Sequence, residues 1–195
     1  MPWRFNTEKY RTALPYSLVV RDVWPDVNKT VIYNELLAWG IDAGSIPVHR
    51  KTGIGAVMAA SQTNMPEPES IIFVAPVIME VYPDDEAKYV ALVHELAHFR
   101  QGLTGELAEK DEGEWYTRAH EQDAIRWAGR QARKMGWPEQ RLTQLMRLRH
   151  HGTGRKWIQT VIKESKMGYR LHPQQETLTL LGRRPVRVRT HRRHH

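Results

Sequence analysis

Two histidines and a glutamate stand close together in YVALVHELAHFRQG, residues 89–102. His94 and His98 are four residues apart, and Glu95 follows the first. On a helix of about 3.6 residues per turn, positions i and i+4 project side by side. Both imidazoles can then aim a ring nitrogen at one ion. Glu95 lies next to the first histidine and can reach a water on that ion without being a ligand itself. A zinc-bound water loses its proton near neutral pH, and a nearby carboxylate can accept it. The same five residues also suit an ordinary helix with two partly buried histidines, so the rest of the chain has to decide.

The chain has no cysteine. Thiolate metal sites and disulfides are therefore excluded, and any metal must be held by His, Asp or Glu. A third ligand is available further on. In WYTRAHEQDAIRWAGRQARKMG (115–136) the apolar stripe is Ala124, Ile125, Ala128, Ala132 and Met135. Glu121 sits three and four residues before Ala124 and Ile125 and extends that stripe. A carboxylate rarely faces a core without a partner, either an arginine or a metal. With His94 and His98 on the preceding helix, a metal is the economical choice. His120 is rotated about 100° from Glu121 and Asp123 about 200°. Either is a candidate for holding a ligand histidine in place. Glu106, Glu109, Glu112 and Glu114 read as a solvated charge run.

These side chains need elements to position them. Pro83, Asp84, Asp85 and Glu86 provide a capped, dipole-complementing start for the first helix. Gly102 is its expected stop. Within it Ala87, Val90, Ala91, His94, Ala97 and His98 share one face. Upstream, 55–62 and 71–75 read as strands of a hairpin, joined by a loop over TNMPEPES (63–70), whose prolines do not suit a ladder. A short helix is expected within 27–40, capped by Asn28 or Thr30 and closed by Gly40. Further helices are expected at 138–152, with Pro138 in the first turn, and at 155–169, ending near Gly168. The fold class is α+β: a small sheet packed on the histidine helix and the following glutamate helix, with more helices after them. One domain over 1–170 is expected, then a basic, largely disordered segment over 171–195.

HELAH (94–98) and EQDAIRWA (121–128) together resemble the gluzincin group of zinc metallopeptidases. The nearest resemblance is to the ImmA/IrrE-like peptidases and small phage-type metallopeptidases. In that group H-E-x-x-H on one helix is completed by a Glu on the next, often within E-x-x-A-[ND]-x-[FW]-A. Glu121, Ala124, Trp127 and Ala128 match; Ile125 stands where Asn or Asp is usual. The resemblance covers about residues 55–135. It implies a zincin-like domain, a zinc ion on His94, His98 and Glu121, and a protein or peptide substrate. It makes Glu95 the general base and later the proton donor to the leaving amine. For the oxyanion partner it leaves Tyr116, His120, His150, His151 and Tyr169 open.

Charge divides the chain unevenly. Residues 1–139 carry 15 basic and 20 acidic residues, a balance of −5; residues 140–195 carry 14 and two, a balance of +12. The segment 182–195 holds Arg183, Arg184, Arg187, Arg189, Arg192 and Arg193 and no acid. Such a tract can neutralise phosphates, so weak, sequence-independent nucleic-acid binding is expected, with a solvated tail or an acidic protein partner as alternatives. The alternative to an enzyme is a nucleic-acid-associated protein of phage or plasmid type whose zinc site is structural or inactive. No apolar run reaches about 18 residues, and the start MPWRFNTEKY lacks the apolar core of a signal peptide. A cytoplasmic protein without membrane spans is expected.

Overall fold

Residues 87–97 are buried without a break, on every face of the helix that carries them. In this computed structural model, which describes residues 2–14, 17–54, 56–62, 70–82, 84–104 and 118–149, that helix is the central element of the described part. The described part is mixed α+β, with a small three-stranded sheet and several helices.

The N-terminal third forms short helices α1 (Thr7–Thr12), α2 (Val20–Val23) and α3 (Tyr33–Ala38). Asn6 caps α1 through its side-chain oxygen, which accepts from Lys9 N at 2.9 Å. The expected helix over 27–40 is shorter than its pattern. A 3₁₀ turn spans Val27–Lys29, and α3 begins after Ile32 with no side-chain cap. Thr30 is not a cap: its hydroxyl donates back to Val27 O at 2.7 Å. Gly40 does close α3. It sits at φ +86°, its N–H donates to Leu37 O and Ile41 N–H donates to Leu36 O, the paired bonds of a Schellman stop.

The sheet has the order β1 (Val48–Arg50), β3 (Ser70–Val74), β2 (Met58–Gln62). β2 and β3 are antiparallel, with Ala60 opposite Ile72, as the hairpin reading expected. β1 runs parallel to β3, Val48 opposite Ile72. It was missed because three residues are too few to show alternation. Among the described residues β2 is thus an edge strand, while Val48, Ile72, Val74 and Met58 face the core.

After the single turn α4 (Ile78–Val81) comes the long helix α5 (Asp85–Thr104). Asp84 caps it, accepting from Ala87 N at 2.9 Å. The expected stop at Gly102 is not used; the helix continues through it to Thr104. The one-faced pattern is also corrected. Lys88, Tyr89, Leu92, Val93, Leu96 and Phe99 are as buried as the predicted face, which is the behaviour of a central helix. α6 (Ala119–Lys134) and β2 pack on it. The N-terminal segment covers another side: Tyr89 Oη donates to Arg4 O and accepts from Asp26 N, both at 2.9 Å. Each fully buried Val, Leu or Phe on α5 contributes about 1.5–3 kcal/mol.

α6 ends as α3 does, with Gly136 at φ +74° and Trp137 N–H donating to Ala132 O at 2.9 Å. α7 (Glu139–Arg149) follows Pro138, as expected. Arg141 of α7 pairs with Asp84 and Glu86 at the start of α5, and its guanidinium stacks over Trp137 at 3.8 Å. The loop over 63–69, the acidic run 105–114, the helix expected at 155–169 and the tail 171–195 lie outside the described residues, as does the domain limit at 170.

Candidate metal centre

His94 is buried and His98 mostly so, one turn apart on α5. Their rings meet edge to face, with centroids 5.0 Å apart and planes at 87°. α6 crosses beside them and brings in Glu121 from its first turn. The stripe Ala124, Ile125 and Ala128 is buried, and Glu121 is buried with it, 7% exposed. Glu121 Oε2 lies 3.2 Å from His94 Nε2, and Glu121 Oε1 lies 3.7 Å from His98 Nε2. One donor atom from each of the three residues falls within 4.8 Å of the others.

These separations can be compared with what an ion requires. Bonds of about 2.0–2.2 Å arranged tetrahedrally put neighbouring donor atoms roughly 3.4 Å apart. The 3.2 Å and 3.7 Å contacts use different oxygens of Glu121, and with one donor atom per residue the three lie within 4.8 Å of one another. Glu121 Oε2 is buried and lacks a hydrogen bond of good geometry, although His94 Nε2 is close. The donor set therefore fits a metal ion, and the buried cluster of His94, His98 and Glu121 could hold one. Burial by itself raises the Glu121 pKa. The polar contact from His94 and the positive character of His94, His98 and His120 outweigh it, and the carboxyl is held below its ordinary value.

No protein-family model, curated protein or solved structure matches the chain.

Glu95 is buried on α5, and one of its carboxylate oxygens accepts a hydrogen bond from Ala60 N on β2 at 3.0 Å. His120 comes closer than its helical offset suggested. Its Nε2 is 3.7 Å from Glu121 Oε1, and its ring centroid is 5.9 Å from that of His98. Asp123 turns away from the three donors, toward Gln101 and Arg100. Tyr116, His150, His151, Tyr169 and the six tail arginines lie outside the described residues.

Three side chains of the surroundings were not singled out from sequence. Gln101 is fully buried, with Oε1 2.8 Å from His98 Nδ1. Its position three residues after His98 on one helix was the available signal. Arg100 is likewise fully buried. Its Nε donates to Glu35 Oε1 at 2.6 Å and its Nη1 to Asp123 Oδ2 at 3.4 Å. Glu35 is on α3, 65 residues away in the chain, and no local pattern announces that pairing.

Proposed function

We propose that this chain is a zinc-dependent metallopeptidase of the gluzincin kind, with a zincin-like arrangement of edge strand, histidine helix and glutamate helix. The observation that carries the reading is the convergence of one donor atom each from His94, His98 and Glu121 within 4.8 Å, with the buried carboxylate of Glu95 next in the chain to His94. Two imidazoles and one carboxylate are a catalytic zinc set, three protein ligands with a fourth position left for water or substrate. Zinc held by His94, His98 and Glu121 would supply Lewis acidity for a scissile carbonyl and for water.

The chain's own residues supply the rest. Glu95 takes the proton from the attacking water and returns it to the departing amine nitrogen as the C–N bond breaks. Ala60 N–H orients the Glu95 carboxylate against the sheet. His120, beside the cluster, is the described candidate for donating a hydrogen bond to the developing oxyanion. The substrate is a peptide or protein.

Elemental analysis of the purified chain and a mixed-sequence quenched-fluorescent peptide library test this together. About one zinc per chain is expected. Glu95→Gln should keep the metal and lose at least ~100-fold in hydrolysis, because the shape is preserved and the base removed. A chain that contains no zinc and gains no thermal stability from added zinc overturns the reading. So does a Glu95→Gln protein that cleaves at the unaltered rate.

A further inference from the structure

The geometry points to Gln101 as the positioning residue of this centre: it locks His98 into the tautomer that carries its proton on Nδ1 and turns a bare Nε2 toward the cluster. The consequence for metal affinity rests on the metal reading above; the tautomer itself does not.

An amide side chain has a donating end and an accepting end of nearly the same shape, and its neighbours decide which is which. Around Gln101 they leave one solution. Its Nε2 is 2.6 Å from the backbone oxygen of His120 and 3.2 Å from Asp123 Oδ2. The first can only accept. The second also receives Arg100 Nη1 at 3.4 Å, and a guanidinium can only donate, so Oδ2 accepts as well. A flipped amide would set oxygen against oxygen at both places. Gln101 Oε1 therefore faces His98 Nδ1, 2.8 Å away. That oxygen can only accept, so the proton between them belongs to Nδ1. A neutral imidazole protonated there has its lone pair on Nε2, the atom 3.7 Å from Glu121 Oε1.

The chain of bonds extends beyond Gln101. Asp123 holds the amide from α6, Arg100 holds Asp123 from α5, and Glu35 holds Arg100 from α3. With Gln101 fully buried in that network, His98 has its ligating nitrogen set before any ion arrives. Outer partners of this kind typically contribute 10–100-fold to metal affinity.

The test uses the full chain and Gln101→Met, which keeps the side-chain length and removes the acceptor. In the metal-free unsubstituted protein, above the ordinary imidazole pKa, long-range proton–nitrogen correlation spectra should show His98 protonated at Nδ1. In Gln101→Met the ring should shift toward the Nε2-protonated form that free histidine favours. Zinc affinity, measured by competition with a chromophoric chelator, should fall roughly 10–100-fold. Asp123→Asn, which still offers Gln101 an accepting oxygen, should keep the Nδ1 form. His98 found protonated at Nε2 in the unsubstituted protein overturns the inference without any variant having to fold. Equal zinc affinity in a folded Gln101→Met overturns it too, and leaves the metal reading standing. Failure of the unsubstituted chain to take up zinc, with His98 protonated at Nδ1, removes the metal reading and upholds the tautomer assignment.

Discussion

The backbone N–H of Ala60 donates to the carboxylate of Glu95 at 3.0 Å, across 35 residues of sequence. Ala60 stands on β2, the edge of the sheet, opposite Ile72. Because β2 is an edge among the described strands, none of them takes this N–H. It is spent instead on the residue assigned the role of general base, and it ties the position of that carboxylate to the position of the sheet.

Ala60→Pro tests this tie. Proline removes the N–H, and an edge strand tolerates it where the N–H lies outside the ladder. A hydrogen bond to a charged group contributes about 1.5–3 kcal/mol. Lost from the transition state, that corresponds to roughly 10–100-fold in rate. Zinc content should be unchanged while kcat/KM on a responsive peptide falls by that factor. An unaltered rate would mean that Glu95 is oriented by something else.

Arg100→Leu should be among the most destabilising single changes in the chain. The guanidinium is fully buried and faces Glu35 and Asp123. Removing one partner of a buried ion pair costs about 3–5 kcal/mol, since the remaining charge is left uncompensated. Urea unfolding followed by circular dichroism should show a midpoint displaced accordingly, with the slope unchanged. A loss below about 1 kcal/mol, the range of a surface pair, would show that the network is not closed in solution.

Asp42 gives a pH signature of its own. Its carboxyl accepts from Ser45 Oγ at 2.6 Å, Gly44 N at 2.9 Å and Tyr33 Oη at 3.1 Å, and it pairs with Arg21. The Ser45 bond is the largest influence. Partial burial opposes it, but together with Gly44, Tyr33 and Arg21 it holds the pKa below its ordinary value. A depressed folded-state pKa means stability that is fully present above the ordinary carboxylate value and is lost as pH falls through the folded one. Asp42→Asn should therefore lower the melting temperature at neutral pH. The gap from the unsubstituted protein should close as the pH is taken below about 4. A gap that persists undiminished in acid would assign the effect to shape, not charge.

The arginine-rich segment predicts a salt-dependent interaction. Residues 182–195 carry six arginines and no acid. We propose that they bind polyanions through counterion release, weakly and without sequence preference. Fluorescence anisotropy with a labelled oligonucleotide at low salt should weaken on deletion of 182–195 and fall steeply toward physiological salt. Identical curves for full and shortened chains would remove the segment from that role.

What could be read from sequence follows the range of the interactions. The capped start of α5 at Asp84, the closing Gly40, and the pairing of β2 with β3 are local features, and local residues specify them. The approach of Glu121 to His94 was also legible, because a carboxylate in line with Ala124 and Ile125 has to find a partner inside. The Arg100–Glu35 pair and the Ala60–Glu95 bond were not. Each joins segments whose meeting is decided by packing, and one of them uses a backbone atom that every residue but proline owns. Gln101 fell between these cases. Its spacing from His98 was visible, but glutamine at i+3 carries no message until Asp123 and the His120 carbonyl determine which way it faces.

The burial of α5 on every side has a consequence for how this protein can change. A helix lying on a surface has positions that drift freely while its functional ones stay fixed. From Ala87 to Ala97 there are no such positions. The residues assigned to chemistry and the residues that fill the interior alternate along a single rod. A substitution meant to retune His94 or Glu95 also repacks the centre of the molecule, and one meant to repack the centre shifts the His94 ring. Among the described residues, adaptation of this site falls to its flanks, to β2, the first turn of α6 and α3, which pack on the rod and can be altered one at a time.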